Sequence, residues 1–177
     1  MFNLLKWLNR ARHSKGFGVH SPFAFSFITE TLRQPKGYAY YEEKNLNKRW
    51  RWLMRAIMRL GDNHIATLGN LPSACGEVLA MLTTKCATQV TPITTPEEFQ
   101  NYISTSTRPL IVVGETLTPE AVSCIRSFSH ANGAMVFVTP THRKIVENLS
   151  AMIFQAPDKM IAVSDCGLPC QTFTLNF

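Results

Sequence analysis

His142 precedes Arg143 and Lys144 at the start of a helical pattern. An imidazole titrates near neutrality, so His142 is the candidate general base; the alternative is a capping residue. Lys48, Arg51, Arg55 and Arg59 recur three and four residues apart, with Trp52 projecting near Lys48 and Arg59. Cationic groups beside an aromatic ring contact phosphates and stack on bases, making these five a candidate nucleic-acid or partner patch. The alternative is a solvated face whose Trp52 is covered by a neighbouring element. Gly16 and Gly18 resemble a fragment of a phosphate loop, but no Lys-Ser/Thr follows and no strand precedes. Cys75, Cys86, Cys124, Cys166 and Cys170 are odd in number, scattered and without a CxxC pair. They read as buried small hydrophobes rather than zinc ligands or nucleophiles. The acids are dispersed, so no metal is expected, and no Ser/His/Asp arrangement is evident.

These residues need elements to place them. Residues 2–12 form an amphipathic pattern, with Leu4, Leu5, Trp7, Leu8 and Ala11 on one side. So short a helix is marginal alone and must dock, on its own domain or on a twin subunit; lying on a lipid surface is the alternative. Ser21 and Pro22 suit a helix start and predict a helix over 22–33, with Phe23 and Phe27 four apart. Pro35 and Gly37 break the pattern. A helix over 45–60 follows, with Leu46, Trp50, Leu53, Met54, Ile57 and Leu60 opposite the basic stripe.

The charge is uneven. Residues 1–60 carry 12 Lys/Arg and 3 Asp/Glu, while residues 61–177 carry 6 and 9. Of the 177 residues, 45% are hydrophobic, enough for a packed core and too many for a disordered chain. No apolar run approaches the roughly 20 residues of a membrane span, and residues 1–13 have no signal-peptide core. A cytoplasmic location is therefore expected.

From residue 62 strands and helices alternate. Short strands are read at His64–Leu68, Thr88–Pro92, Leu110–Val113 and Ala134–Val138. Helices are read at Ala74–Leu82 (Ser73 as cap), Pro96–Ile103 (Thr95), Pro119–Ser129 (Thr118) and Thr141–Met152. Lys159–Val163 and Thr172–Phe177 are read as a closing antiparallel hairpin. Leu110–Val113 and Ala134–Val138 lack period-two alternation, as strands covered on both faces do. The expected fold is α/β: a mostly parallel sheet, a C-terminal antiparallel hairpin and an N-terminal helical extension over 1–60, with the sheet domain over 61–177. Ligands in such sheets sit beyond the carboxyl ends of the strands. That directs attention to the loops Gly69–Ser73, Pro92–Pro96, Gly114–Thr118 and Thr139–His142.

Val19-His20-Ser21-Pro22-Phe23-Ala24-Phe25, then Tyr38-Ala39-Tyr40-Tyr41-Glu42-Glu43 and the Arg-rich helix, resemble a group of small bacterial proteins. These carry an HSPF-type helical segment ahead of a class I S-adenosylmethionine-dependent methyltransferase domain. The stretch Ile161–Asp165 through Gly167-Leu168 to Phe173-Thr174-Leu175 resembles the last two strands of that domain. The resemblance implies a shortened Rossmann-like sheet, with Gly69, Asn70, Gly114 and Glu115 as residual cofactor contacts. It also implies losses. The glycine-rich loop is reduced to Leu68-Gly69-Asn70-Leu71-Pro72, and no carboxylate follows the second strand to take the ribose hydroxyls. Gly114 and Leu117 replace an Asp and a His, Thr139 and Pro140 replace a pair of acids, and one strand-helix unit between 92 and 109 is missing.

Three readings follow. The first is a degenerate methyltransferase-like protein with weak or no S-adenosylmethionine binding and an interaction or structural role. It would form a homo-oligomer through its N-terminal helices or bind an unknown protein partner. The second is an active methyltransferase on an unknown acceptor, with S-adenosylmethionine as cofactor. The third is a nucleic-acid-binding module using helix 45–60.

Overall fold

The computed structural model describes residues 8, 11–12, 19–33, 50–128, 132–164 and 167–176. The rest of the helix read at 2–12, the Gly16/Gly18 loop, Tyr38–Glu43, Leu46, Lys48 and Cys166 lie outside the described residues.

Helix α1 (Pro22–Ser26) begins as its sequence predicts: the Ser21 hydroxyl accepts the Ala24 N–H at 3.3 Å, and Pro22 stands in the first turn. It runs on as a π-helical stretch, Phe27–Leu32, closed by the Arg33 N–H donating to the Ile28 carbonyl at 3.1 Å. Next come α2 (Arg51–Leu60), β1 (His64–Leu68), α3 (Ser73–Cys86), β2 (Gln89–Ile93) and α4 (Pro96–Thr105). They are followed by β3 (Leu110–Val113), α5 (Pro119–Ser127) and β4 (Gly133–Phe137). A 3-10 turn (Pro140–His142) leads into α6 (Arg143–Val146), and β5 (Met152–Gln155), β6 (Met160–Ser164) and β7 (Thr172–Thr174) close the chain.

The strands form one sheet in the order β2-β1-β3-β4-β6-β5-β7. The first four are parallel, β6 runs antiparallel to both β4 and β5, and β7 lies parallel to β5. The fold is thus α/β, mostly parallel, with a C-terminal antiparallel pair. That pair differs from the expected one. β6 and β7 do not touch, because β5 lies between them. From sequence a helix ends at Met152 and Ile153–Gln155 fall in no element, since a short apolar run has the same look in a buried strand and a buried helix. The helix instead stops at Val146, and the Pro157-Asp158 turn, with the Ala156 N–H donating to the Lys159 carbonyl at 2.9 Å, folds β5 back onto β6.

Helices cover both faces. Side chains of β3 show the sharing: Leu110 and Val112 pack with α1, α2 and α3, while Ile111 and Val113 pack with α4, α5 and α6. This two-sided burial explains the unbroken apolar run. The charge boundary near residue 60 is not a packing boundary, because Phe27, Leu53 and Ile57 share one core with Val136, Phe154 and Phe173. On the second face the Tyr102 hydroxyl is held between strands. It accepts the Leu110 N–H at 3.0 Å and shares its proton between the carbonyls of His64 and Leu110, each at 3.0 Å. Burial raises its pKa, so it remains a donor. Among the described residues no helix is long and apolar enough to cross a membrane.

Candidate functional site

Chain order reverses around β1. The crossover through α3 leads to β2 on one side, and the crossover through α4 returns to β3 on the other. The switch-point crevice therefore lies between the loops following β1 and β3, where ligands of open α/β sheets enter.

Here the two loops pair with each other. The Gly114 N–H donates to the Leu68 carbonyl at 2.8 Å, and the Glu115 N–H donates to the Asn70 carbonyl at 2.8 Å. The Asn70 N–H points to the Thr116 carbonyl at 3.4 Å, completing an antiparallel bridge between Asn70 and Thr116. Both glycines are needed for this approach. A Cβ at Gly114 would collide with the Asn70 carbonyl oxygen, and one at Gly69 would collide with that of Thr116. Gly69 also has φ +77°, a conformation that disfavours side chains. The structure thus brings Gly69, Asn70, Gly114 and Glu115 together, through their own backbone. Gly114 is buried, whereas the other three are exposed.

His142 joins the same edge. Its Nε2 lies 2.9 Å from the Gly114 carbonyl, and its ring lies 6.4 Å from that of Phe137. A carbonyl only accepts, so Nε2 carries the proton of this bond. His142 therefore ties the loop after β4 to the loop after β3.

A cleft of about 340 Å³ survives beside the bridge, between the ends of β1 and β2 and the first turns of α4 and α5. Both turns are capped as the sequence predicts. The Thr95 hydroxyl accepts the Glu98 N–H at 3.2 Å. The Glu98 carboxylate accepts the N–H groups of Thr94 and Thr95 at 2.7 and 3.1 Å and the Thr94 hydroxyl at 2.9 Å. Thr118 likewise accepts the Ala121 N–H at 3.2 Å. Thr118, from a loop the sequence marked, lines the cleft with Glu120 and Cys124, which are absent from the sequence-derived candidates. Their signal was the four-residue spacing of Glu120 and Cys124, which places both on one side of a helix. Burial above all, and then the carboxylates of Glu97 and Glu120, hold the Cys124 thiol above its ordinary pKa. It is a neutral thiol and a poor nucleophile.

Hydrogen bonds hold three surface carboxyls below their ordinary values. For Glu98 the Thr94 N–H contributes most; for Glu120 its own N–H, then the Thr118 hydroxyl; for Asp62 the Asn63 N–H, then the Thr107 hydroxyl. A carboxyl with a depressed folded pKa stabilises the fold fully above its unfolded value, and that contribution is lost as pH falls through the folded value. Ordinary values of 4.5 for the two Glu and 3.8 for Asp62 place the loss in acid. Urea midpoints should be insensitive to these groups near neutrality and decline below about pH 4.5. A Glu98→Gln/Glu120→Gln chain should show a shallower decline; an unchanged slope would contradict the assignment.

Of the two readings of the basic stripe, the position of Trp52 fits the one in which a neighbouring element covers it; Lys48 lies outside the described residues. Arg59 is exposed, but Arg51 and Arg55 are half-buried. Trp52 is only 3% exposed, and the Lys159 ammonium sits 5.2 Å from its ring centroid. Lys159, itself buried, pairs with Asp158 at 3.1 Å. The turn between β5 and β6 therefore covers the indole, which is not offered to a base. Among the described residues no three His, Cys, Asp or Glu side chains converge as metal ligands. Comparison with protein-family models, with curated proteins and with solved structures finds no match.

Proposed function

We propose that this chain is a degenerate methyltransferase-like domain, with weak or no S-adenosylmethionine binding, that acts through interactions rather than catalysis. The observation that supports this reading is the Asn70–Thr116 bridge. It spends on loop pairing the backbone groups and both glycines that the resemblance implies for the cofactor. The mostly parallel sheet with its antiparallel C-terminal pair is compatible with a shortened sheet of that type. The carboxylate expected after the second strand is missing from Pro92–Pro96, and a ribose diol left unpaired there would cost about 1–3 kcal/mol.

The active-enzyme alternative would use the same four residues, Gly69, Asn70, Gly114 and Glu115, with His142 Nδ1 as base. Thermal denaturation separates the two. Ligand at about 100 times its dissociation constant stabilises by about 2.7 kcal/mol, or several degrees for a chain of this size. With about 1 mM S-adenosylmethionine the midpoint should stay where it is. A clear upward shift would overturn the degenerate reading.

A further inference from the structure

We propose that a second cavity, at the amino ends of β1 and β2, binds a small neutral molecule that carries a primary carboxamide on an apolar body. Gly61, Asp62 and Asn63 precede β1 and Thr88 precedes β2, so this cavity lies at the opposite edge of the sheet from the loops after β1 and β3. Its volume, about 320 Å³, falls within the range of small-molecule sites. The last turns of α2 and α3 wall it with Ile57 and Leu82, which are 3% and 1% exposed, and with the half-buried Met58 and Cys86. The Asn63 carbonyl accepts the Gln89 N–H at 2.6 Å and fixes the two strand starts beside each other.

Thr88 gives the site its donor. The residue is only 6% exposed. Among the described residues its hydroxyl has no hydrogen-bond partner, yet it is not sealed off, and Thr88 lines this cavity. A nearly buried polar group without a partner is costly, and a ligand carbonyl would satisfy it. Asp62 gives the site its acceptor. The Asn63 N–H and then the Thr107 hydroxyl hold its carboxyl below the ordinary value, so it is ionised at neutrality. Those two donors lie at 2.7 and 2.9 Å, and a carboxylate offers about four lone-pair positions, so acceptor capacity remains. The Asn63 side-chain amide can do both. Net charge does not choose the ligand. Asp62 is the one charged residue lining the cavity, and two helix C-termini add partial negative charge. Against them stand Arg108 and His64, which act on Asp62, and Arg59 and Lys85 in the last turns of α2 and α3. Hydrogen-bond complementarity chooses instead. A primary carboxamide offers its carbonyl to the Thr88 hydroxyl and its N–H groups to Asp62, while its apolar body covers Ile57 and Leu82.

This inference goes beyond the proposed function and holds whether or not S-adenosylmethionine binds. The test titrates the full chain with benzamide and, separately, with acetophenone, which has the same shape and carbonyl but no N–H donor. Backbone amide NMR shifts at Gly61, Asn63 and Thr88 report occupancy. Benzamide should give saturable shifts there, with acetophenone at least about threefold weaker. Thr88→Val, which keeps the shape and removes the hydroxyl, should weaken benzamide by about three- to tenfold, and Thr88→Ser should bind it as the unaltered chain does. That rescue separates the hydrogen bond from packing, and the comparison of the two probes on the unaltered chain stands even if a variant unfolds. Equal affinity for the two probes, shifts centred elsewhere, benzamide affinity unchanged in Thr88→Val, or no saturable shift up to about 10 mM benzamide would overturn the proposal.

Discussion

Gly114→Ala should destabilise the folded chain by about 2–4 kcal/mol, lowering its melting midpoint by roughly 5–15 °C. The added Cβ meets the Asn70 carbonyl, a backbone atom that no rotamer change can move aside. The loops after β1 and β3 must separate, which removes the Glu115 N–H bond to Asn70 and weakens the Asn70 bond to Thr116. His142 also loses its fixed acceptor on Gly114. Two net hydrogen bonds account for about 1–3 kcal/mol, and crowding supplies the remainder. Gly69→Ala should act on the same bridge, with an added penalty of about 1–2 kcal/mol for φ +77°. Because both changes open one contact, the double variant should cost less than the sum of the singles, by at least about 0.5 kcal/mol. Gly76→Ala is the control. Its Cβ would meet nothing within 4 Å, and alanine within a helix is favoured by roughly 0.5–1 kcal/mol. Equilibrium denaturation of the four chains tests the cycle. A Gly114→Ala midpoint within a degree or so of the unaltered chain, or strict additivity with Gly69→Ala, would remove the bridge as a structural element.

The same bridge shows what a sequence can and cannot convey about such a site. The positions of Gly69 and Gly114 were legible, because strands His64–Leu68 and Leu110–Val113 end just before them. Their partners were not. A glycine permits close approach of backbone, but whether the approaching atom belongs to a ligand or to another loop depends on the pairing of distant segments. The caps at Ser21, Thr95 and Thr118 were legible for the opposite reason: their hydrogen bonds close within three residues. Trp52 illustrates the limit of periodicity. Helical spacing places it on the basic side of α2, but the turn from β5 to β6 covers that side and Lys159 occupies its ring. β5 was unreadable as a strand, because its apolar run abuts a helical pattern and only the pairing with β6 and β7 decides its state. The cleft rests on three loops that the sequence marks, those after β1, β2 and β3, and the one acid that lines it, Glu120, stands in the first turn of α5.

Phe154→Ala should be the most damaging core substitution, at about 3–5 kcal/mol. Phe154 has no exposed surface and stands on β5, between β6 and β7. Its ring centroid lies 4.8 Å from Phe27, 6.5 Å from Phe23 and 5.5 Å from Phe173. Phe23 and Phe27, four residues apart, stack on each other at 5.8 Å. One side chain therefore joins the first helical layer to the late strands, and aromatic pairs add about 0.5–1.5 kcal/mol each beyond burial. Removing it should loosen residues 22–32 before the parallel strands. Amide exchange should accelerate more across Phe27–Leu32, whose Phe27 ring lies against Phe154, than across α3, which contributes no aromatic ring to this cluster. Phe25→Ala, at a position 45% exposed, should change stability by no more than about 0.5 kcal/mol. If Phe154→Ala left exchange in Phe27–Leu32 unchanged, the helical segment would be held by something other than this cluster. The outcome also bears on function. With the apolar side of α1 and α2 committed to the sheet, a partner of this basic segment must bind through its outward positions, among them Phe25 and Arg59. An interface variant at those positions should leave the fold intact, whereas one at Phe27 or Phe154 would confound loss of binding with loss of structure.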